Sequence, residues 1–411
     1  MALPTQKVEL GFDLTGNNTG PYFRLDDPTA GVLDNTSWLL GGTVFFDVSS
    51  YVQGFSTRRG KSRQLDRYST GQASVVFDNN ARTFDPEYVD SPYYGQIIPR
   101  REIRITAGGV VTYFGSVDDW NLLYEPTGNN LSQAACSDAL RVLASQTLSA
   151  FTNVVQTSGA RVNAILSRPE IDWGIDARQI DAGRQTLGAD TVDAGTNALS
   201  YLQTVEASEP GSFFVNKAGK VTFLDRAVAP ESGVPVLADD GTGISYQGMK
   251  VVYGSELLYN DISITTIITG NTSTATDALS KGIYGQLVLA QDNLLMESDA
   301  DALELAQWYS QLYSEPEFRF ESVEILLNDL TTEEQAEILD LELGSVVKVI
   351  FTPGNPAQAP AIEKFAEVIR LDNSVDSQFH KVSIGFSTLE TAFFVLDDTE
   401  FGRLNTGALG F

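Results

Sequence analysis

The sequence predicts a mainly β fold with an α+β insert: two small antiparallel β-barrel domains embracing an α+β domain. Three observations lead there. A chain of 411 residues exceeds what one ordinary core organises, so two or three domains are expected. Its 35 Gly, 22 Phe and 15 Tyr favour strands joined by many turns. Alternation of period two governs both ends of the chain, while the middle switches to helical spacing.

Residues 1–42, rich in Gly, Asn, Asp and Thr, read as an extended N-terminal arm with short strands. The first barrel is expected over 43–130. Thr43 to Val48 reads as a strand, and Ala73, Val75 and Phe77 alternate with polar neighbours in the next. Ile103 and Ile105 alternate likewise, and Gly108-Gly109 marks a hairpin into Val110–Phe114.

The α+β insert is expected over 131–240. Ser137 is read as the N-cap of a helix burying Leu140, Leu143 and Leu148. Val162, Ile165 and Leu166 mark a second helix; Leu199, Leu202 and Val205 mark a third, capped by Asn197 and stopped by Glu209-Pro210-Gly211. Asn216 to Gly219 then turns a hairpin between two apolar runs. The second barrel, with helices, is expected over 241–390, from strands at Met249–Tyr253, Asn260–Ile268, Phe318–Leu327, Ser345–Phe351, Ile362–Leu371 and Lys381–Phe386. Ser298 is read as the cap of a helix with Ala302, Leu305, Trp308, Tyr309 and Leu312 on one face, and Thr331 to Glu334 as a capping box. Residues 391–411 form a C-terminal contact segment.

Fifty-four acidic and 27 basic side chains leave a net charge of −27, which argues against stable nucleic-acid binding. The imbalance is local: residues 1–110 hold 11 Lys or Arg against 12 Asp or Glu, so nearly all the excess lies beyond them. One cysteine, Cys136, excludes an internal disulfide, and one histidine, His380, leaves no partner for an ordinary zinc site. Neither a signal peptide nor an integral membrane segment is read, and no cofactor is expected.

Gly54 to Ser62 mimics a phosphate-binding loop but spaces its glycines by five residues instead of four; it is read as a basic hairpin loop. The basic cluster Arg58, Arg59, Lys61, Arg63 and Arg67, with Arg100 and Arg101, fits either a solvated face or a docking surface for an acidic protein. Tyr88, Tyr93 and Tyr94, in the aromatic loop 84–94, belong to the same candidate interface, or else fold back over the barrel. His380 shares parity with Val382, Ile384 and Phe386 and reads as a partly buried edge residue, not a base. Cys136 reads as a buried packing residue. Asp118-Asp119-Trp120, or Glu170 with Asp172-Trp173, would be the carboxylate pairs of a sugar hydrolase, and Trp120 and Trp173 the platforms of a carbohydrate-binding adhesin. No catalytic motif is found.

The runs Gly71–Asn80, Ile98–Ile105 and Phe114–Trp120 resemble minor tail proteins of long-tailed phages infecting actinobacteria. So do Thr196–Leu202 and Glu209–Phe214, with the later stretches Tyr259–Ile262, Asp277–Gly285 and Phe365–Phe386. The resemblance implies a tail-tip hub similar to the central baseplate hub of contractile-tailed phages. It implies a structural, non-enzymatic virion protein, made in the host cytoplasm, whose two barrels per chain let a homotrimer cap a six-fold tube. Its implied partners are the distal tail ring protein, the tape-measure protein and peripheral receptor-binding tip proteins. The distal ring protein itself, a hexamer, is the alternative within the same assembly.

Overall fold

The computed structural model describes residues 3–12, 28, 43–126, 128–226, 233–354 and 361–389. Most of the expected arm and the whole of the expected C-terminal contact segment lie outside these residues.

The first barrel is built from β1 (Gln6–Phe12), β2 (Val44–Asp47), β3 (Val52–Gly60), β4 (Ser69–Asp78), β5 (Glu102–Ala107), β6 (Val110–Leu123) and β7 (Leu131–Ser137). They are hydrogen-bonded in the order β3-β4-β7-β6-β5-β1-β2. Alternation places Val75 and Phe77, Ile103 and Ile105, and Tyr113 and Val117 in one core. The hairpin at Gly108-Gly109 forms because both glycines adopt positive φ, 56° and 85°. β1 is more than an arm: Val8, Leu10 and Phe12 alternate with polar or small residues and fill the same core, with β1 paired to β2 and β5.

The insert carries α1 (Leu140–Ser145), α2 (Ser158–Leu166) and α3 (Ala198–Ser208), followed by a hairpin. Its small sheet holds β8 (Arg178–Ile180), β9 (Ser212–Val215) and β10 (Val221–Leu224), with β8 parallel and β9 antiparallel to β10. Asn197 caps α3 by accepting the Ser200 N–H, as its sequence predicts. The cap of α1 differs from expectation. Ser137 ends β7, and Asp138 accepts the Leu140 N–H at 3.0 Å, because the strand runs one residue further than the polar pattern implies. Arg161 is fully buried on α2. Its guanidinium reaches Asp190 at 2.6 Å, the Tyr201 hydroxyl at 2.8 Å and the carbonyls of Val154 and Gly188, tying loops that carry little regular structure.

The second barrel comprises β11 (Val236–Ala238), β12 (Gly248–Tyr253), β16 (Phe318–Leu326), β17 (Val346–Phe351), β18 (Ile362–Val375) and β19 (His380–Thr388). Its order is β12-β16-β19-β18-β17-β11. Helix α6 (Thr332–Asp340) closes one side with the expected capping box of Thr331 and Glu334. Between β12 and β16 lies a separate unit: β13 (Asp261–Thr266), β14 (Thr272–Thr276), α4 (Ala278–Tyr284), β15 (Val288–Leu294) and α5 (Asp299–Tyr313). It has its own core, from Ile262 and Ile264 to Leu305 and Tyr309, so the stretch expected as one barrel with helices holds two cores. Ser298 caps α5 by accepting the Asp301 N–H.

The two barrels share one continuous sheet. β3 and β18 pair antiparallel over six residues, from Phe55↔Val375 to Gly60↔Arg370. Gly54–Ser62 is therefore mostly strand, not a hairpin loop, and its glycines serve the ladder. Gly60 sits at φ +112° where a Cβ would lie 2.1 Å from the Ile369 carbonyl oxygen, a position open only to glycine.

Candidate docking interface

Period two decides the fate of the basic cluster. On β3, Arg58 points outward and Arg59 inward, so adjacent arginines do opposite things. Arg58 stays half exposed, near Asp372 at 4.0 Å and the Ser62 hydroxyl at 3.2 Å. Arg59 is only 5% exposed and belongs to no surface. It pairs with Glu342 at 2.7 Å, whose other oxygen accepts the Lys217 N–H at 2.7 Å. Lys217 in turn holds the Asp340 carboxylate at 2.8 Å. One carboxylate thus joins the first barrel, the insert and the second barrel, which corrects the expectation that Arg59 faces a partner.

Buried acids surround this joint. Asp138 accepts the Gly71 N–H at 2.7 Å, and burial pushes its carboxyl up to about 7. Glu206 on α3 accepts the Phe213 N–H at 3.0 Å and is raised to about 7 for the same reason. It lines a cavity of about 330 Å³ between barrel, insert and α5, together with Lys61 and Arg67. Lys61 stands 4.9 Å from the Tyr68 ring centre, Arg67 reaches Gln203 at 3.5 Å, and Arg63 pairs with Glu256 at 3.0 Å. Arg63 and Arg67 thus reach other units of the same chain, while the Lys61–Tyr68 contact stays within the first barrel.

Arg100 and Arg101 lie elsewhere. At the level of Arg58 they are four strands away across the sheet, about 19 Å at ~4.8 Å per strand. Arg101 folds onto Gln96, donating to its carbonyl at 3.1 Å and its side-chain oxygen at 2.8 Å. Arg100 is exposed at φ +70° and makes no ion pair among the described residues. The aromatic loop divides in the same way. Tyr93 packs 4.9 Å from the Phe12 ring, Phe84 stacks on Phe77 at 4.4 Å, and Tyr88 lies under the Arg82 guanidinium. Tyr94 remains exposed. The ten candidate residues therefore form no single face.

The surface they leave open is a polar groove of about 1060 Å³ over the shared sheet. Arg58, Arg141 and Lys381 face Asp118, Asp119, Glu324 and Asp372 there, amid serines, threonines and amides. Asp118 is engaged by Arg141 at 3.0 Å. Glu170 is held by Arg168 at 2.7 Å and by Ser149, which lowers its carboxyl to about 2, the opposite of what a general acid needs. Among the described residues no group of three or more His, Cys, Asp or Glu is arranged to hold a metal.

His380 is buried at the centre of the sheet rather than at an edge, because β19 lies between β16 and β18. Its Nδ1 meets the Gln6 amide at 3.1 Å and its Nε2 the Asn373 oxygen at 3.0 Å; burial lowers it to about 4, so the ring is neutral. Cys136 is buried in β7, and burial pushes its thiol up, away from thiolate chemistry. The sequence reading missed Asp138, Glu206 and Glu342. Glu342 had a signal, since it stands between Leu341 and Leu343, where an acid marks either a turn or a buried pair.

No family model and no curated protein matches the sequence. Solved structures do match. The 43 kDa tail protein of prophage MuSo2 from Shewanella oneidensis superposes with a TM-score of 0.59 at 12% identity, covering 94% of this chain and 99% of that one. The tail protein from Neisseria meningitidis MC58 gives 0.57 at 10% identity, covering 84% and 93%. The chain has a phage tail-protein fold, mainly β and with an α+β insert, and it has that fold over nearly its whole length. No helix among the described residues is long and apolar enough to cross a membrane.

Proposed function

We propose that the chain is a structural protein of a phage tail, placed at the tail tip as a ring of copies. The observation that carries this reading is the six-residue ladder between β3 and β18, which fuses two barrels edge to edge in fixed orientation. Three such chains offer six barrels, the arrangement by which a homotrimer can meet a six-fold tube. The likeness to a prophage tail protein and to a second tail protein, over most of both chains in each case, supports the tail assignment. In this reading the ring closes the tube, contacts the distal ring and tape-measure proteins on one side, and anchors host-contacting proteins on the other. Its work is geometric rather than catalytic, in keeping with the ion-paired states of Asp118 and Glu170.

Imaging the tail tip of assembled particles tests this directly. Three copies in a closed ring is the expected result. Six copies would move the chain to the distal ring. Absence from any ring would withdraw the proposal, and a cell-wall lysis assay on the purified chain would then take priority.

A further inference from the structure

The cavity beside α3 is lined by a carboxyl group and a cation that are not paired with each other. Glu206 is 6% exposed, and its two oxygens are treated unequally. Oε1 accepts the Phe213 N–H, while Oε2 is buried and receives no hydrogen bond among the described residues. Lys61 lines the same cavity, with its ammonium over the Tyr68 ring and no ion pair to a carboxylate among the described residues. A buried oxygen that lacks a donor and a lysine that lacks an acceptor are the two halves of an ion pair.

The backbones are fixed, and the lysine stem is the part that can move. Glu206 lies in the last turn of α3, where the helix dipole disfavours a negative charge that has no counter-ion. The Lys61 N–H donates to the Ile369 carbonyl at 2.9 Å, which anchors it at the end of the ladder between β3 and β18. Its ammonium nevertheless rides on a flexible four-carbon stem.

The other charged groups around the cavity come from every unit that meets there. From the first barrel, Asp66 and Arg67 are exposed, and Arg67 reaches Gln203. From the insert, Asp225 pairs with Arg184 at 3.4 Å, and Arg226 approaches Glu304 at 4.0 Å. Asp292 on β15 is exposed, α5 contributes the phenol of Tyr309, and Glu367 on β18 accepts the Ser387 hydroxyl at 3.3 Å. Burial raises the Glu206 carboxyl to about 7; the Phe213 N–H and then the charges of Lys61 and Arg67 pull the other way. Lys61 is therefore the cation that Glu206 feels most.

We propose that Lys61 and Glu206 form a proton-controlled clamp: when Glu206 gives up its proton to solvent, the Lys61 ammonium leaves the Tyr68 ring, crosses the cavity and pairs with Oε2, tying the end of β3 to α3. An ionised carboxylate in this position has already lost its water, so only the displacement of the ammonium opposes the pairing. A cation over a ring is held more weakly than one hydrogen-bonded to a desolvated carboxylate. Once Glu206 takes its proton back, it no longer draws the lysine, which returns to the ring. The clamp is thus closed above the Glu206 midpoint and released as pH falls through it, and it stiffens the contact between the first barrel and the insert beside the shared ladder.

The test uses crystals of the full chain at about pH 5.5 and about pH 8.5, with the Lys61 ε-carbon and the Glu206 carboxyl followed by NMR across the same range. Lys61 is expected over the Tyr68 ring in the first crystal and within about 4 Å of Glu206 in the second. Its ε-carbon signal is expected to move with the midpoint at which the Glu206 carboxyl titrates. Glu206→Gln, which cannot ionise, is expected to keep the lysine over the ring at both pH values. Lys61→Met is expected to raise the Glu206 midpoint by about one pH unit or more, and Arg67→Met by much less. A lysine that stays over the ring at the higher pH, or a Glu206 midpoint that Lys61→Met leaves in place, overturns the clamp. Should a variant fail to fold, the wild-type crystals and titration decide alone.

Discussion

Arg59 and Glu342 show how one residue can decide whether a chain is three bodies or one. Arg59 is desolvated, and its partner also receives the Lys217 N–H, so removing either member leaves an uncompensated charge at the joint. Arg59→Ala is expected to cost about 3–5 kcal/mol in urea unfolding, and the double variant with Glu342→Ala clearly less than the sum of the singles. The buried acids add a pH dependence. Asp138 and Glu206 have folded values near 7, raised from ordinary values of 3.8 and 4.5. The folded chain therefore holds extra protons in that window; the stability is fully present below about pH 4 and is lost as pH rises through 7. His380 runs the other way. Its value falls from 6.5 to about 4, so its contribution is present above 6.5 and lost as pH falls through 4. Two carboxyls outweigh one imidazole, so these groups together make stability decline from about pH 4.5 towards 7. Glu206→Gln, which stays neutral, is expected to shrink that decline by on the order of 3 kcal/mol, read from unfolding midpoints at pH 5 and pH 8.

At the scale of elements, the ladder between β3 and β18 depends on a backbone that side chains cannot share. Gly60 at φ +112° lies against the Ile369 carbonyl, whereas at Gly95, with φ +74°, an added methyl would meet no atom within 4 Å. Gly60→Ala is expected to destabilise by upwards of ~2 kcal/mol and to loosen the joint, while Gly95→Ala costs ~1 kcal/mol. Melting temperatures of the two variants, compared side by side, decide it; equal shifts would show that the ladder tolerates rearrangement. Much of this architecture was legible in the sequence, and the exceptions have causes. Caps and hairpins are local, so Asn197, Ser298, Thr331 and Gly108-Gly109 could be read directly. The direction of Arg59 was not, because the strand phase that turns it inward is set by β18, more than 300 residues away. The core strand β1 was hidden by its flanks: Val8, Leu10 and Phe12 alternate clearly, but Gly, Asn and Asp beyond them dilute the pattern. The docking candidates are spread over separate faces because a charge cluster in sequence is split by pleat and by strand order.

For the whole molecule, a shared sheet changes how the chain must unfold. If the barrels were beads on a string, each would open alone, and the six-residue ladder would be a weak seam between two foldons. The seam here is structural on both sides. Phe55 and Val375, opposite each other in the ladder, fill the first core, and Leu371 fills the second. The second core also takes in Tyr68 from the first barrel's loop, Ala107 from its hairpin and Phe214 from the insert. Opening either barrel therefore exposes apolar surface of the other and strands a row of buried backbone groups. Native-state hydrogen exchange is expected to give the amides of Phe55–Gly60 and Arg370–Val375 the same opening free energy as Ile105 and Ile384 in the barrel centres. The α4 and α5 unit, whose core is separate and whose first helix is seated on hydrogen bonds, is expected to exchange earlier. Ladder amides that exchange well before both centres would show that the barrels move independently. A chain with such a hinge could not fix six barrels in a ring by the placement of three copies, so the same measurement bears on the stiffness that the proposed function requires.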